Sequence, residues 1–326
     1  TNQPMHDHAK AGFSIIGWTT LNISLSLLNK YLFQVKDFRF PLLIIISGTF
    51  STFLGSYVCL FGLKLETFPL QSVLNHWKLL ALLAIAHGFT TGLENLSILY
   101  ISISMNQIIK ATMPAGTILA TSLLEGKHYS LPLKVCTGIT VFGACLTVYK
   151  NPDYNATGVF CSIGSVLFGV IQMVLSGILL QRASMSALTI AVTTSLPAVF
   201  SIMPAFFYLE MPHFAEHHEK GNTSIIVTIM IILGFMAFIY NMTHYWLIKY
   251  TSAHYAVLVG NMKVILLVFI SEMIFHTQLT PLNILGIVTS LLGFCAYNTF
   301  RYREMKQHLE MDRQKQFSTE MDKIIY

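Results

Sequence analysis

Charge is what this sequence has least of: Asp, Glu, Lys and Arg make up 11% of its 326 residues. Against this stand 54% hydrophobic residues and a mean hydropathy of +0.61. No polar stretch is long enough to form a soluble domain, so that class is excluded. Cysteine is also scarce. The five present, Cys59, Cys136, Cys145, Cys161 and Cys295, lie within or at the edge of apolar runs without metal-ligand spacing. They read as buried packing residues, and neither a metal nor a cofactor is expected.

What the sequence has instead is apolar runs of membrane length. A helix needs roughly 20 such residues to cross a bilayer. Runs of that kind cover residues 12–33, 41–63, 77–99, 101–124, 132–149, 156–180, 187–208, 224–248, 254–275 and 280–300. The expectation is an all-α integral membrane protein of ten transmembrane helices, with the lipid bilayer as its surroundings. The first run has no small-residue cleavage site after it and reads as a span rather than a signal peptide.

Cytoplasmic loops carry an excess of Lys and Arg, which sets orientation. With an even number of spans and both termini cytosolic, thirteen of the twenty basic residues fall on the cytosolic side. Five, Lys30, Lys36, Arg39, Lys150 and Lys220, fall opposite. The net charge of +5 therefore follows topology, and no nucleic-acid partner is implied. The tail from Arg301 to Tyr326 mixes both signs and reads as a solvated cytosolic segment, helical or not. The sequons at Asn155 and Asn222 fall on the lumenal side, with Asn155 close to the membrane. "HFAEHHEK", His213 to Lys220, has three histidines but no zinc template, and reads as a solvated lumenal loop.

The halves resemble each other. A shift of 150 residues places Gly143 and Cys145 on Gly293 and Cys295, and a shift of 149 places Ser122 and Pro132 on Ser271 and Pro281. Five spans per half make equivalent helices cross in opposite directions, which defines an inverted repeat. The expected division is residues 1–150, a second repeat over 151–300, and a tail over 301–326.

The two remaining cations, Lys110 and Lys263, lie about ten residues into the fourth and ninth spans. A charge at that depth is costly unless it faces a cavity or a partner, so neither side chain faces lipid. Pairing with internal acid is one reading. The in-span acids are Glu94 and Glu272, both near lumenal ends, and Glu272 lies about 13 Å along the helix from Lys263 by rise alone. Full neutralisation by protein groups is therefore not expected, and an anionic substrate completes the site. Neighbouring polar residues suit that role. Asn106 and Gln107 precede Lys110 by one turn, Pro114 removes the hydrogen bond to the Lys110 carbonyl, and Asn261 precedes Lys263. "FIYNMTHYW" adds Tyr240, Asn241 and His244, and "GLENL" adds Glu94, to receive hydroxyls or hold a lysine. His87 and His244 are read as packing histidines, with proton relay as the alternative.

"NQIIKATMP" and "VGNMKVILLVFISEMIFHTQLTPLNILGIVTSLLGFCAYN", with "LLNKYLF" and "GKHYS", resemble the triose-phosphate translocator and nucleotide-sugar transporter group of the drug/metabolite transporter superfamily. That resemblance implies a central site open to one side at a time and obligatory exchange. In the plastid sugar-phosphate branch, phosphate is held by a helix-four lysine, a helix-nine Lys-Arg pair, a helix-three histidine and a helix-eight tyrosine. Lys110 and Lys263 match, and Tyr240 fits the tyrosine. Val264 stands where the arginine would be and Thr91 where the histidine would be.

Losing the guanidinium fork removes bidentate phosphate recognition, which turns the reading towards endomembrane relatives carrying UDP-sugars. The GDP-sugar carriers' Gly-Ala-Leu-Asn-Lys motif is not reproduced by "GNMK". The expected function is a Golgi or ER antiporter exchanging a nucleotide sugar, a UDP-sugar first, for the nucleoside monophosphate. Its substrate-binding residues would be Lys110, Lys263, Asn106, Gln107, Thr91, Glu94, Tyr240, Asn241 and Asn261. The alternative is a sugar-phosphate or other organic-phosphate exchanger, in a plastid-type membrane. An enzyme is not expected, since no nucleophile–base pair is found. A seven-helix receptor does not fit the even span count. A homodimer stays open.

Overall fold

The computed structural model describes the chain apart from residues 1–2, 35–37, 39, 127–128, 149–154, 219–222, 252, 254, 258, 261–279 and 326. Helix α1 covers Gln3–Gln34 and α2 covers Pro41–Tyr57, continued by a wider turn over Val58–Gly62. After short α3 (Leu70–Asn75) come α4 (Trp77–Tyr100), α5 (Ile103–Lys110), α6 (Met113–Glu125) and α7 (Leu131–Val148). Helix α8 (Ala156–Gly177) also ends in a wide turn, Ile178–Arg182. Then follow α9 (Ala187–Leu209), α10 (Met211–His218), α11 (Thr223–Tyr250) and α12 (Pro281–Ile325).

Among the described residues, six helices are long and apolar enough to cross a membrane. Their starts follow local chemistry: Asn155 and Ser186 accept from the backbone N–H groups of Gly158 and Thr189 at the first turns of α8 and α9, and Pro41 opens α2.

Two features depart from the sequence expectation. The segment read as a solvated loop from His213 is helical as far as His218, as α10. Leu70–Asn75, inside an expected break, is α3. The tail after residue 300, read as helical or not, continues the last span without interruption as one 45-residue helix.

Helix pairing is regular. The main interfaces are α1–α11, α2–α9, α2–α11, α4–α8, α4–α9 and α7–α12. Exchange the helices of the first-half spans with those at the same rank in the second half, and this set maps onto itself. The α1–α11 interface becomes α8–α4, α2–α11 becomes α9–α4, and α2–α9 and α7–α12 return to themselves. The α7–α12 crossing repeats that relation atom by atom. A Cβ on Gly143 would stand 2.7 Å from the Gly286 carbonyl oxygen and against the Ser290 backbone, and one on Gly293 would stand 3.0 Å from the Cys136 carbonyl oxygen and 2.8 Å from Thr140 N. The Ser290 hydroxyl donates to the Thr140 carbonyl, 150 residues away and 3.1 Å distant. Small residues thus let two backbones touch, which is how helices pack without a hydrophobic driving force. Gly143→Ala and Gly293→Ala are each expected to destabilise the detergent-solubilised protein by about 1–3 kcal/mol, read as a lowered Tm, because the obstructing atoms are backbone.

A second tether lies just past the end of α9. Glu210 is buried, and its two carboxylate oxygens accept from Leu42 N at 2.7 Å and Leu43 N at 2.9 Å, at the first turn of α2. Burial pushes its carboxyl up to about 7, against the opposing pull of those two donors. The folded pKa thus lies above the ordinary value near 4.3. The stability it contributes is full below about pH 4 and is lost as pH rises through 7. The expected result is a wild-type Tm that falls between about pH 4 and 7 and levels off above, with Glu210→Gln flattening that profile. Glu210→Ala is expected to cost about 2–3 kcal/mol at either pH, since it orphans both N–H groups.

Candidate functional site

Two adjoining chambers lie between α1, α2, α4, α8 and α11, and His87, Thr91, Glu94, Tyr240 and Asn241 line both.

Lys110 stands in the first chamber, and the break in the helix explains why it can. Pro114 has no backbone N–H for the Lys110 carbonyl, so α5 ends at Lys110 and α6 begins at Met113. The connection is a tight turn, with Thr112 N donating to Ile109 O at 3.1 Å and Ala115 N to Thr112 O at 3.0 Å. An interrupted helix at cavity depth is tolerated where protein or a water-filled cavity surrounds it. A cation at the end of α5 also meets the negative end of that helix dipole.

The Lys110 ammonium pairs with Glu94 Oε1 at 2.5 Å, and the two side chains are 14% and 19% exposed. This corrects the expectation that protein groups do not neutralise Lys110. The tight connection between α4 and α5 turns the chain back on itself, so that Lys110, eight residues after Ser102, comes level with Glu94, eight before it. Lys110 is therefore half of an ion pair.

The other expected residues divide. Thr91, Glu94, Tyr240 and Asn241 line the chambers with Lys110. The Thr91 hydroxyl donates to His87 O at 2.8 Å, within its own helix. Asn241 donates to the Thr52 hydroxyl at 3.1 Å and to Ala237 O at 2.9 Å, which fixes its carboxamide. Asn106 lies off both chambers. It is fully buried, and its amide donates to Ser97 at 2.8 Å and Ser162 at 3.3 Å, tying α5 to α4 and α8 in place of the ligand-orienting role expected of it. Gln107 is on α5, with its side chain outside the description. Asn261 and Lys263 lie outside the described residues.

Several lining residues were not singled out in the sequence. Trp18 and Asn22 of α1 stand one turn apart, and Asn22 donates to the Tyr240 hydroxyl at 3.1 Å. Trp18 stacks on His244 with ring centres 5.5 Å apart and on Tyr240 at 6.3 Å. Gln172 of α8 meets His87 Nδ1 at 2.9 Å. His87 and His244 thus sit in a polar pair and an aromatic stack. The signal for α1 was available as polar side chains on one helical face of an apolar run.

Among the described residues, helices of spanning length surround a polar chamber that holds one ion pair, the setting of a membrane protein. The sequence matches the Triose-phosphate Transporter family over residues 9–298, and the chain belongs to that family. It is 27% identical to "GDP-mannose transporter GONST5" of Arabidopsis thaliana over 90% of this chain and 86% of that one. It is 26% identical to the same plant's "Probable sugar phosphate/phosphate translocator At3g10290" (89% and 82% covered) and to its "UDP-galactose transporter 1" (90% and 88% covered). A solved structure titled "Crystal structure of protein" superposes with a TM-score of 0.63 at 11% identity, covering 90% of this chain and 98% of that one, which shows a shared fold.

Proposed function

We propose that this chain exchanges a nucleotide sugar, a UDP-sugar first, for the nucleoside monophosphate across a Golgi or ER membrane. The observation that carries the reading is Lys110: a cation held at the wall of a two-chambered cavity, with a carboxylate in the position an anionic ligand would take. Two chambers suit a ligand with a charged nucleotide end and a hydroxylated sugar end. Relatives by name include nucleotide-sugar transporters and sugar-phosphate translocators, so both substrate classes belong to the test. Val264 in place of an arginine favours the nucleotide-sugar branch. Lys110 and Lys263 would neutralise phosphate, while Tyr240, Asn241, Thr91 and Asn261 orient polar groups.

The architecture proposed with it is ten spans in two inverted halves, residues 1–150 and 151–300, with both termini and the tail cytosolic. The exchange symmetry of the helix interfaces and of the α7–α12 crossing supports it, and so does the distribution of Lys and Arg. Alternating access would then be a rocking of one half against the other.

The test is a thermal-shift panel with UMP, GMP, CMP, their sugar conjugates, glucose 6-phosphate, phosphoenolpyruvate and triose phosphate, since a ligand that binds the folded state raises apparent stability. A shift selective for UMP and a UDP-sugar is expected. A shift with GMP and GDP-mannose alone would change the nucleotide, and one with small phosphate esters alone would move the protein to the sugar-phosphate branch.

A further inference from the structure

The second chamber, reached from Lys110 past Glu94, has a different chemistry on its wall. Asn22, Ser26 and Asn29 of α1, Thr49 of α2 and Asn95 of α4 line it, and among the described residues there is no lysine or arginine there. A chain of bonds fixes its amides. The Thr91 carbonyl can only accept, so Asn95 turns Nδ2 towards it at 3.1 Å and leaves its Oδ1 for Asn29. Asn29 must then donate Nδ2 to that oxygen, at 3.0 Å. Among the described residues this leaves Asn29 Oδ1 buried without a donor, and Asn22 Oδ1 is in the same state beside its bond to Tyr240. Two such acceptors, two helical turns apart on the same side of α1, need an explanation, because a buried carbonyl without a donor is costly.

We propose that this chamber is a sugar subsite selective for a neutral polyhydroxyl ring. It rests on the reading that phosphate replaces Glu94 at Lys110. Asn22 Oδ1 and Asn29 Oδ1 accept from sugar hydroxyls, Ser26 and Thr49 serve as donors or acceptors, and the released Glu94 carboxylate takes a further hydroxyl at the junction of the chambers. An ionised carboxylate on the sugar has acceptors only. It would supply no donor to either asparagine and would meet the charge of Glu94, so a hexuronic acid is disfavoured where a hexose fits.

Binding to the purified full-length protein tests this with UMP, UDP-glucose, UDP-galactose, and the uronates UDP-glucuronate and UDP-galacturonate. Glucose 6-phosphate and inorganic phosphate are run in parallel. The wild type is expected to bind one UDP-hexose at least about tenfold more tightly than the matching uronate. In Asn29→Ala and Asn22→Ala, the affinity ratio of that UDP-hexose to UMP is expected to fall about tenfold. If UMP and the UDP-sugars do not bind but glucose 6-phosphate does, and the variants lose its preference over phosphate, the nucleotide reading fails while the sugar subsite stands. The subsite is overturned if both ratios are unchanged in variants that still bind UMP or phosphate. It is equally overturned if uronates bind as tightly as hexoses, or if no ligand of either set binds. Should neither variant fold, the wild-type hexose-to-uronate comparison decides alone.

Discussion

Lys110→Ala is expected to lower exchange by two to three orders of magnitude in reconstituted vesicles. The substitution removes the cation held in the chamber and takes from Glu94 its 2.5 Å partner. Removing one member of a buried pair costs about 3–5 kcal/mol, and each 1.4 kcal/mol is about tenfold in an equilibrium constant. Stability falls with transport in this variant, so the two effects must be separated. Glu94→Gln in the Lys110→Ala background removes both charges of the pair and is expected to recover most of the lost Tm while transport stays absent. Recovery of transport together with stability would assign Lys110 a purely structural role.

Glu94→Gln alone has the opposite signature. With its carboxylate gone, Lys110 is an unpaired buried cation in the empty protein, and the apparent Tm without ligand is expected to drop by several degrees. An anion then binds without first displacing a carboxylate, so affinity for the monophosphate or phosphate ligand is expected to rise by about tenfold or more. Exchange is expected to slow as the ligand is held harder. Titration calorimetry alongside the thermal-shift assay measures both changes. Weaker anion binding in Glu94→Gln would mean that Glu94 positions Lys110 rather than competing for it.

The membrane-spanning, helical character of the chain was legible because spans announce themselves by length and apolarity, and six such helices stand among the described residues. The 150-residue shift that paired Gly143 with Gly293 reappears as a crossing in which each glycine meets the other helix's backbone. A small residue required by close approach leaves a mark in sequence. The break at Lys110 was legible too, because proline cannot serve the Lys110 carbonyl. What sequence could not give was distance across the bundle. Glu94 was read as an acid near a span end, and the reversal of the chain between α4 and α5 brings it against Lys110. Asn106 lies one turn before Lys110 and was read as sharing its face, yet it points at Ser97 and Ser162. The α1 face of Trp18, Asn22 and Asn29 went unread because single amides in an apolar run carry no charge to draw the eye. Their meaning comes from the neighbours on α4 and α11.

The most direct measurement is uptake of labelled UMP into proteoliposomes that are empty, or preloaded with UMP or a UDP-sugar, for the wild type and for Lys110→Ala. Uptake is expected only into preloaded wild-type vesicles, with a UDP-sugar able to replace internal UMP, and near background for Lys110→Ala. Equal uptake into empty vesicles would contradict exchange, and undiminished uptake by Lys110→Ala would remove the central site from its place at the α5–α6 break.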